Sequence, residues 1–151
     1  MATAWRIVAE KRAASAFSGE GARIAGGRWN SKGTSVVYTS ASKALAALEL
    51  LVHINPIIPL KLTAFRLEFD DEMIEHFPAH DLPAHWRIEP PGGDTMKIGD
   101  AWVAAVRSPI LALPSTIIPE EINYLLNPAH PDFADIQIGP ATGFAFDPRL
   151  L

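Results

Sequence analysis

The residue in this chain that most needs a chemical explanation is Glu49, the one carboxylate in "ALAALELLVHI", residues 44–54. An ionised carboxylate is costly to bury without partners, so a purely structural helix would be better served by alanine or leucine there. On helical spacing Leu45, Leu48 and Val52 share one face, which Leu51 and Ile54 extend, while Ala46 and His53 lie nearest Glu49 on its own side. Lys43, six positions back, cannot pair with it locally. The side chain either reaches water at the edge of the apolar stripe or forms part of a cleft wall.

A second candidate stands in "GGRWN", residues 26–30. Two glycines let the backbone turn or come close to a ligand, and Arg28 directly after them carries a planar fork suited to phosphate or carboxylate. The plainer alternative is a surface arginine in a turn, with Trp29 packed inward. Gly19, Gly21, Gly26 and Gly27 match neither the dinucleotide-binding fingerprint, because Ile24 takes the third glycine's place, nor a P-loop. Tyr38 ends a β-branched run, where a core aromatic is the common outcome. Ser115, in "LALPST", follows proline at a strand end, a place for a turn or cap hydrogen bond, and no GxSxG surrounds it. His76, His80 and His85 are separated by Pro78 and Pro83 and show no HExxH, so no metal site is expected.

The elements that must carry these residues alternate along the chain. "AWRIV" (4–8) predicts a short strand, and the glycine-rich segment 17–33 a loop over a cleft. "TSVVYTS" (34–40) predicts a strand, after which Ser40 or Ser42 caps a helix that Asn55-Pro56 ends. "LKLTAFRLEF" (60–69) alternates as a strand with neither face purely apolar, "DDEMIEHF" (70–77) predicts a short capped helix, and "TMKIGDAWVAAVRS" a longer helix after the turn "EPPGGD". "ILALPSTIIP" and "ADIQIGPATGFAFDP" read as short strands, with "EEINYLLNPAH" a loop or helical turn between them. The expected architecture is a single α/β or α+β domain, with a central sheet flanked by helices.

Composition narrows the function classes. The 151 residues are 48% hydrophobic and 20% charged, enough for one compact domain with a real core. Thirteen prolines, mostly outside the apolar runs, favour many short elements over a helical bundle. There is no cysteine, hence no disulfide framework and no thiolate metal site. A net charge of −4 with scattered Lys and Arg argues against direct nucleic-acid binding, although one or two arginines in a cleft still attract a small anion. Neither a signal-type stretch at the start nor a run of about 18 apolar residues is present, so a soluble, cytoplasmic protein without a membrane span is expected.

Taken together, "GGRWNSKGTSVVYTSASKALAALELLVH" (26–53), "WRI" near the start, "ALPSTIIPEEINYLLNP" (112–128) and the ending "GFAFDPRL" resemble the RES domain family. That family is named for Arg, Glu and Ser motifs and supplies toxins of bacterial toxin and antitoxin pairs. The resemblance covers nearly the whole chain and implies one RES domain over 1–151, with a fold similar to ADP-ribosyltransferase toxins. It also implies NAD+ as a substrate with no permanently bound cofactor, and a co-encoded Xre-type helix-turn-helix antitoxin through which any DNA contact is made; a homodimer within that complex has room in the apolar content. Residue by residue, Arg28 is the family's arginine, Glu49 its glutamate and Ser115 its serine, expected to hydrogen-bond the nicotinamide or its ribose, with Ser108 in "VRSPIL" the rival. Tyr38 matches the tyrosine after the strand, and Arg6 a basic residue that helps hold the dinucleotide. The implied activity is cleavage of the nicotinamide–ribose bond by a glycohydrolase or phosphorylase that depletes NAD+ and arrests growth. The alternatives are an ADP-ribosyltransferase acting on a protein and a binding module without turnover.

Overall fold

The computed structural model describes residues 1–54 and 61–151. Strand β1 (Ala2–Ala9) pairs antiparallel with β3 (Leu62–Phe69) along its whole length, from Ala2↔Phe69 to Ala9↔Leu62. Strands β5 (Ile110–Pro114) and β6 (Ile122–Leu126) form a hairpin, and β6 pairs antiparallel with β2 (Val37–Ser40), from Val37↔Leu126 to Ser40↔Asn123. Strand β4 (Ile74–His76) lies parallel to β5, while β7 (Gln137–Ile138) and β8 (Thr142–Phe144) share the other edge, along β3. The order is β4-β5-β6-β2-β1-β3-β7, an α+β arrangement around a mixed, mostly antiparallel sheet. Its two halves meet at β1 and β2, which share the registered pair Trp5↔Ser40 against eight pairs between β1 and β3.

Alternate residues of each strand enter different cores, as the period of two requires. Ala4, Val37, Phe65, Leu67, Phe69, Ile110, Ala112, Tyr124 and Leu126 meet on one face. On the other face Leu111, Leu113 and Leu125 pack with Trp29 and with Trp102 of α3 (Gly93–Ala105). Farther along that same face Ile7, Leu62 and Ala64 pack with Ala46 of α2 (Lys43–Leu51). Strand β3 is buried on both sides although neither of its faces is purely apolar: Thr63 is buried, and Arg66 is the strand's exposed residue. Between the two helical coverings the narrow β1–β2 junction is left open.

Several expectations are corrected here. Segment 17–33 carries a short helix, α1 (Glu20–Ala25), instead of running entirely as loop. Helix α2 is capped by Ser42, whose hydroxyl accepts from the Leu45 amide, and it ends at Leu51; the expected stop at Asn55-Pro56 lies outside the described residues. Its buried side is Leu45 and Ala46, whereas Val52, assigned to the stripe, is exposed. "DDEMIEHF" forms one 3-10 turn (Asp71–Met73) and then β4, because pairing with β5 prevails over acidic first-turn propensity. "INYLL" is a strand between β2 and β5, not a loop or helical turn, and both its faces are buried by the two cores. Among the described residues no helix is long and apolar enough to cross a membrane.

Candidate active site

The open junction is the floor of a cavity of about 550 Å³, within the ~300–1,000 Å³ usual for small-molecule sites. Its walls include the consecutive residues Trp5, Arg6 and Ile7 of β1 and Tyr38, Thr39 and Ser40 of β2. Neighbouring residues of a flat strand point to opposite faces, so both strands can line one cavity only because the sheet splits there. Arg6 bridges the split: its Nη1 donates to the Tyr38 carbonyl at 2.9 Å and its Nε to the Ala16 carbonyl at 2.6 Å. By register, that Tyr38 carbonyl would otherwise face Ile7 in a continued ladder. Burial lowers the Arg6 guanidinium to about 10, which leaves it charged at neutral pH.

Arg28 reaches the cavity from the turn before Trp29, which is 3% exposed against α3. Gly99 of α3 makes that contact: a Cβ there would lie 1.7 Å from the Trp29 carbonyl oxygen. Ser31 ties the same turn to α3, its amide and hydroxyl both donating to Asp100, at 3.0 and 2.5 Å. The Arg28 side chain, 11% exposed, donates to the carbonyls of Trp86 and Ile88 at 2.9 and 2.8 Å and pairs with the Glu89 carboxylate at 2.7 Å. Glu89 is 69% exposed, so one anion already rests on the arginine in a place from which water or another anion can displace it.

Tyr38 also lines the cavity, and its hydroxyl is committed to the turn that carries Arg28. It donates to Asn30 Oδ1 at 2.6 Å and accepts from the Trp29 amide at 3.1 Å. Burial pushes its phenol well above the ordinary tyrosine value, so it stays protonated. Asn30, fully buried, in turn donates to the Ala22 and Thr34 carbonyls at 2.9 and 3.1 Å, which fixes the turn that carries Arg28.

Glu49 also lines the cavity, from α2, and is held there. Its Oε1 accepts from Ser115 Oγ at 2.7 Å and from Asn123 Nδ2 at 2.8 Å. Ser115 is fully buried just beyond β5, and its oxygen accepts the amides of Ile117 and Ile118 at 3.1 and 3.2 Å. It is thus the turn hydrogen-bonder that its position suggested, with its hydroxyl hydrogen left for the carboxylate. Ser108 donates to the Ile110 carbonyl at 3.1 Å, accepts from Trp102 Nε1 at 2.9 Å, and does not line the cavity.

Of the residues singled out in sequence, Arg6, Arg28, Tyr38 and Glu49 thus share one cavity, and Ser115 stands behind Glu49. Asn30, Glu89 and Asn123 were missed. Asn123 lies in the segment expected as a loop or helical turn, although the β-branched and aromatic residues of "INY" are a strand signal. Among the described residues no group of three or more His, Asp or Glu could hold a metal ion.

The sequence model of the RES domain family matches residues 3–147. The chain is 42% identical over 149 residues to "Toxin Res" of Yersinia enterocolitica, covering 97% of each chain. It is 40% identical over 153 residues to the "Prs ADP-ribosylating toxin" of a Sphingobium strain, covering 97% of this chain and 95% of that one. It is 36% identical over 151 residues to "Toxin Res" of Photorhabdus laumondii, covering 97% and 96%.

Proposed function

This chain belongs to the RES domain family, and from that premise we propose that it is a toxin whose cleft binds NAD+ and breaks the bond between nicotinamide and ribose. The observation that carries the reading is the placement of Glu49: one carboxylate oxygen is fixed by two donors, and the side chain shares a cavity with two arginines.

In this reading Arg28 and Arg6 hold the pyrophosphate by charge-assisted hydrogen bonds, Arg28 after exchanging the Glu89 carboxylate for phosphate oxygens. The ring of Tyr38 stacks against the nicotinamide, a role that leaves its hydroxyl free to brace the Arg28 turn. Heterolysis of the C1′–N bond sends the bonding pair to the pyridinium nitrogen, so nicotinamide leaves neutral and needs no general acid. Positive charge develops on C1′ and the ring oxygen of the ribose. The Glu49 carboxylate stabilises that charge and accepts from a ribose hydroxyl. Ser115 acts through Glu49, since its one hydrogen is directed there. Water then adds to C1′ and releases a proton to solvent, or phosphate adds as the anion. Loss of NAD+ arrests growth of the producing cell, and an Xre-type helix-turn-helix antitoxin made beside the toxin restrains it.

A second reading, transfer of ADP-ribose to a protein, is favoured by the printed name of the Sphingobium relative. The two share every step up to departure of nicotinamide. The test is incubation of the purified chain, free of antitoxin, with NAD+, with and without phosphate. Nicotinamide release is expected, and mass spectrometry of the products separates ADP-ribose, its phosphate and a modified protein. Tight NAD+ binding with no release would leave a binding module.

A further inference from the structure

The two donors on Glu49 come from different elements and converge on the same oxygen, Oε1. Among the described residues no protein group donates to Oε2. A carboxylate with both bonds on one oxygen cannot turn about its last torsion without losing them, so its second oxygen keeps one direction. Ser115 supplies one bond as part of its turn. Asn123 supplies the other, and its own orientation is set by Ser40, the residue directly opposite it on β2. The Ser40 hydroxyl donates to Asn123 Oδ1 at 2.7 Å. A flipped amide would set oxygen against the Glu49 carboxylate and nitrogen against a hydroxyl hydrogen, so Nδ2 must face Glu49.

From this relay, Ser40 to Asn123 to Glu49, we infer that Asn123 is a positioning residue for the reaction: it fixes the Glu49 carboxylate and aims Oε2 at the substrate. The inference rests on the functional reading above. Asparagine is suited to the task because it donates without charge. A lysine or arginine here would neutralise the carboxylate that the cationic ribose centre needs, and an ionised aspartate would repel it. The other titratable groups on the cavity wall are Arg6, Arg28, Tyr38, His53 and Glu89, and none of them hydrogen-bonds Glu49 among the described residues.

The experiment compares wild type, Asn123→Ala and the near-isosteric Asn123→Asp, with thermal midpoints measured alongside. In Asn123→Ala, kcat for nicotinamide release should fall roughly 10- to 100-fold, with KM for NAD+ changed less than about threefold, since misplacing a reacting group by an ångström costs that order. In Asn123→Asp the two facing carboxylates share one proton, and the protonated partner can still donate to Oε1. Its kcat should therefore decline with rising pH, as that proton is lost, over a range where the wild-type profile does not. A residue needed only for folding would move the thermal midpoint and leave the pH profile unchanged. Variants with kcat within about twofold of wild type and parallel profiles would overturn the inference. A further readout needs no turnover: exchange of the Asn123 side-chain amide protons, followed by NMR, should accelerate in Glu49→Ala. Unchanged exchange would overturn the inference even if the wild-type chain proved inactive, whereas a wild-type chain that releases no nicotinamide but shows accelerated exchange would overturn the functional reading alone.

Discussion

The energetics at the residue scale centre on charge that is held but not cancelled. Glu49 receives two neutral donors, each worth about 1.5–3 kcal/mol to a charged acceptor, and neither brings a compensating charge. Glu49→Gln preserves shape and removes the charge. Nicotinamide release should drop at least about 100-fold with the thermal midpoint little changed, and equal turnover would show that the carboxylate is not the charge stabiliser. Arg28→Ala should raise KM for NAD+ roughly tenfold or more, from the loss of a charge-assisted bond of ~1.5–3 kcal/mol. The same change removes the donor that holds the Trp86 and Ile88 carbonyls, so a lower thermal midpoint should accompany it. Burial leaves Arg6 at about 10 and pushes Tyr38 upward, so neither loses its proton as pH climbs from neutral into the mildly alkaline range. KM for NAD+ should stay level there, and a steep climb would put another titrating group on the anion. Glu49 was legible in sequence because a lone carboxylate among alanines and leucines is conspicuous. Asn123 was not, because an asparagine announces nothing until its two partners, 83 and 74 residues away along the chain, are brought beside it.

Each element places one part of the cleft, and the junctions between elements decide whether it is in register. The Ser42 cap starts α2 one turn before Ala46, the residue that packs on Ile7 and Leu62 and so sets the height of Glu49 above the sheet. Ser42→Ala should cost about 1 kcal/mol, read as a lower denaturation midpoint with an unchanged slope. Helix α3 has a stricter requirement at Gly99. Alanine there would gain up to ~1 kcal/mol of helix propensity, but its Cβ would collide with the Trp29 backbone, and overpacking of this kind costs typically ~1–3 kcal/mol. The collision should win, and because Trp29 adjoins Arg28, Gly99→Ala should weaken NAD+ binding as well as stability; a fully stable variant would mean that the turn yields easily. Helices α2 and α3, with their apolar helical spacing and flanking turn residues, and β3, with its alternating pattern, were legible in the sequence. Strands β4 and β6 were not, because their conformations come from pairing with β5 and β2, and local propensity carries no record of those partners.

Across the whole molecule, the sheet closes one continuous core on one face and divides the other between α2 and α3. The gap between those coverings is where β1 and β2 part, and the guanidinium of Arg6 takes the place of ladder hydrogen bonds there. A net charge of −4 gives no general attraction for an anionic dinucleotide, so the proposed binding would depend on the local field of Arg6 and Arg28. The most direct measurement is nicotinamide release from NAD+ by the purified, antitoxin-free chain, run beside Glu49→Gln. The expected result is catalytic release by the wild-type chain, lost in a variant that still folds and still binds NAD+. A folded wild-type chain that binds NAD+ and releases no nicotinamide, with or without phosphate or a protein acceptor, would contradict it.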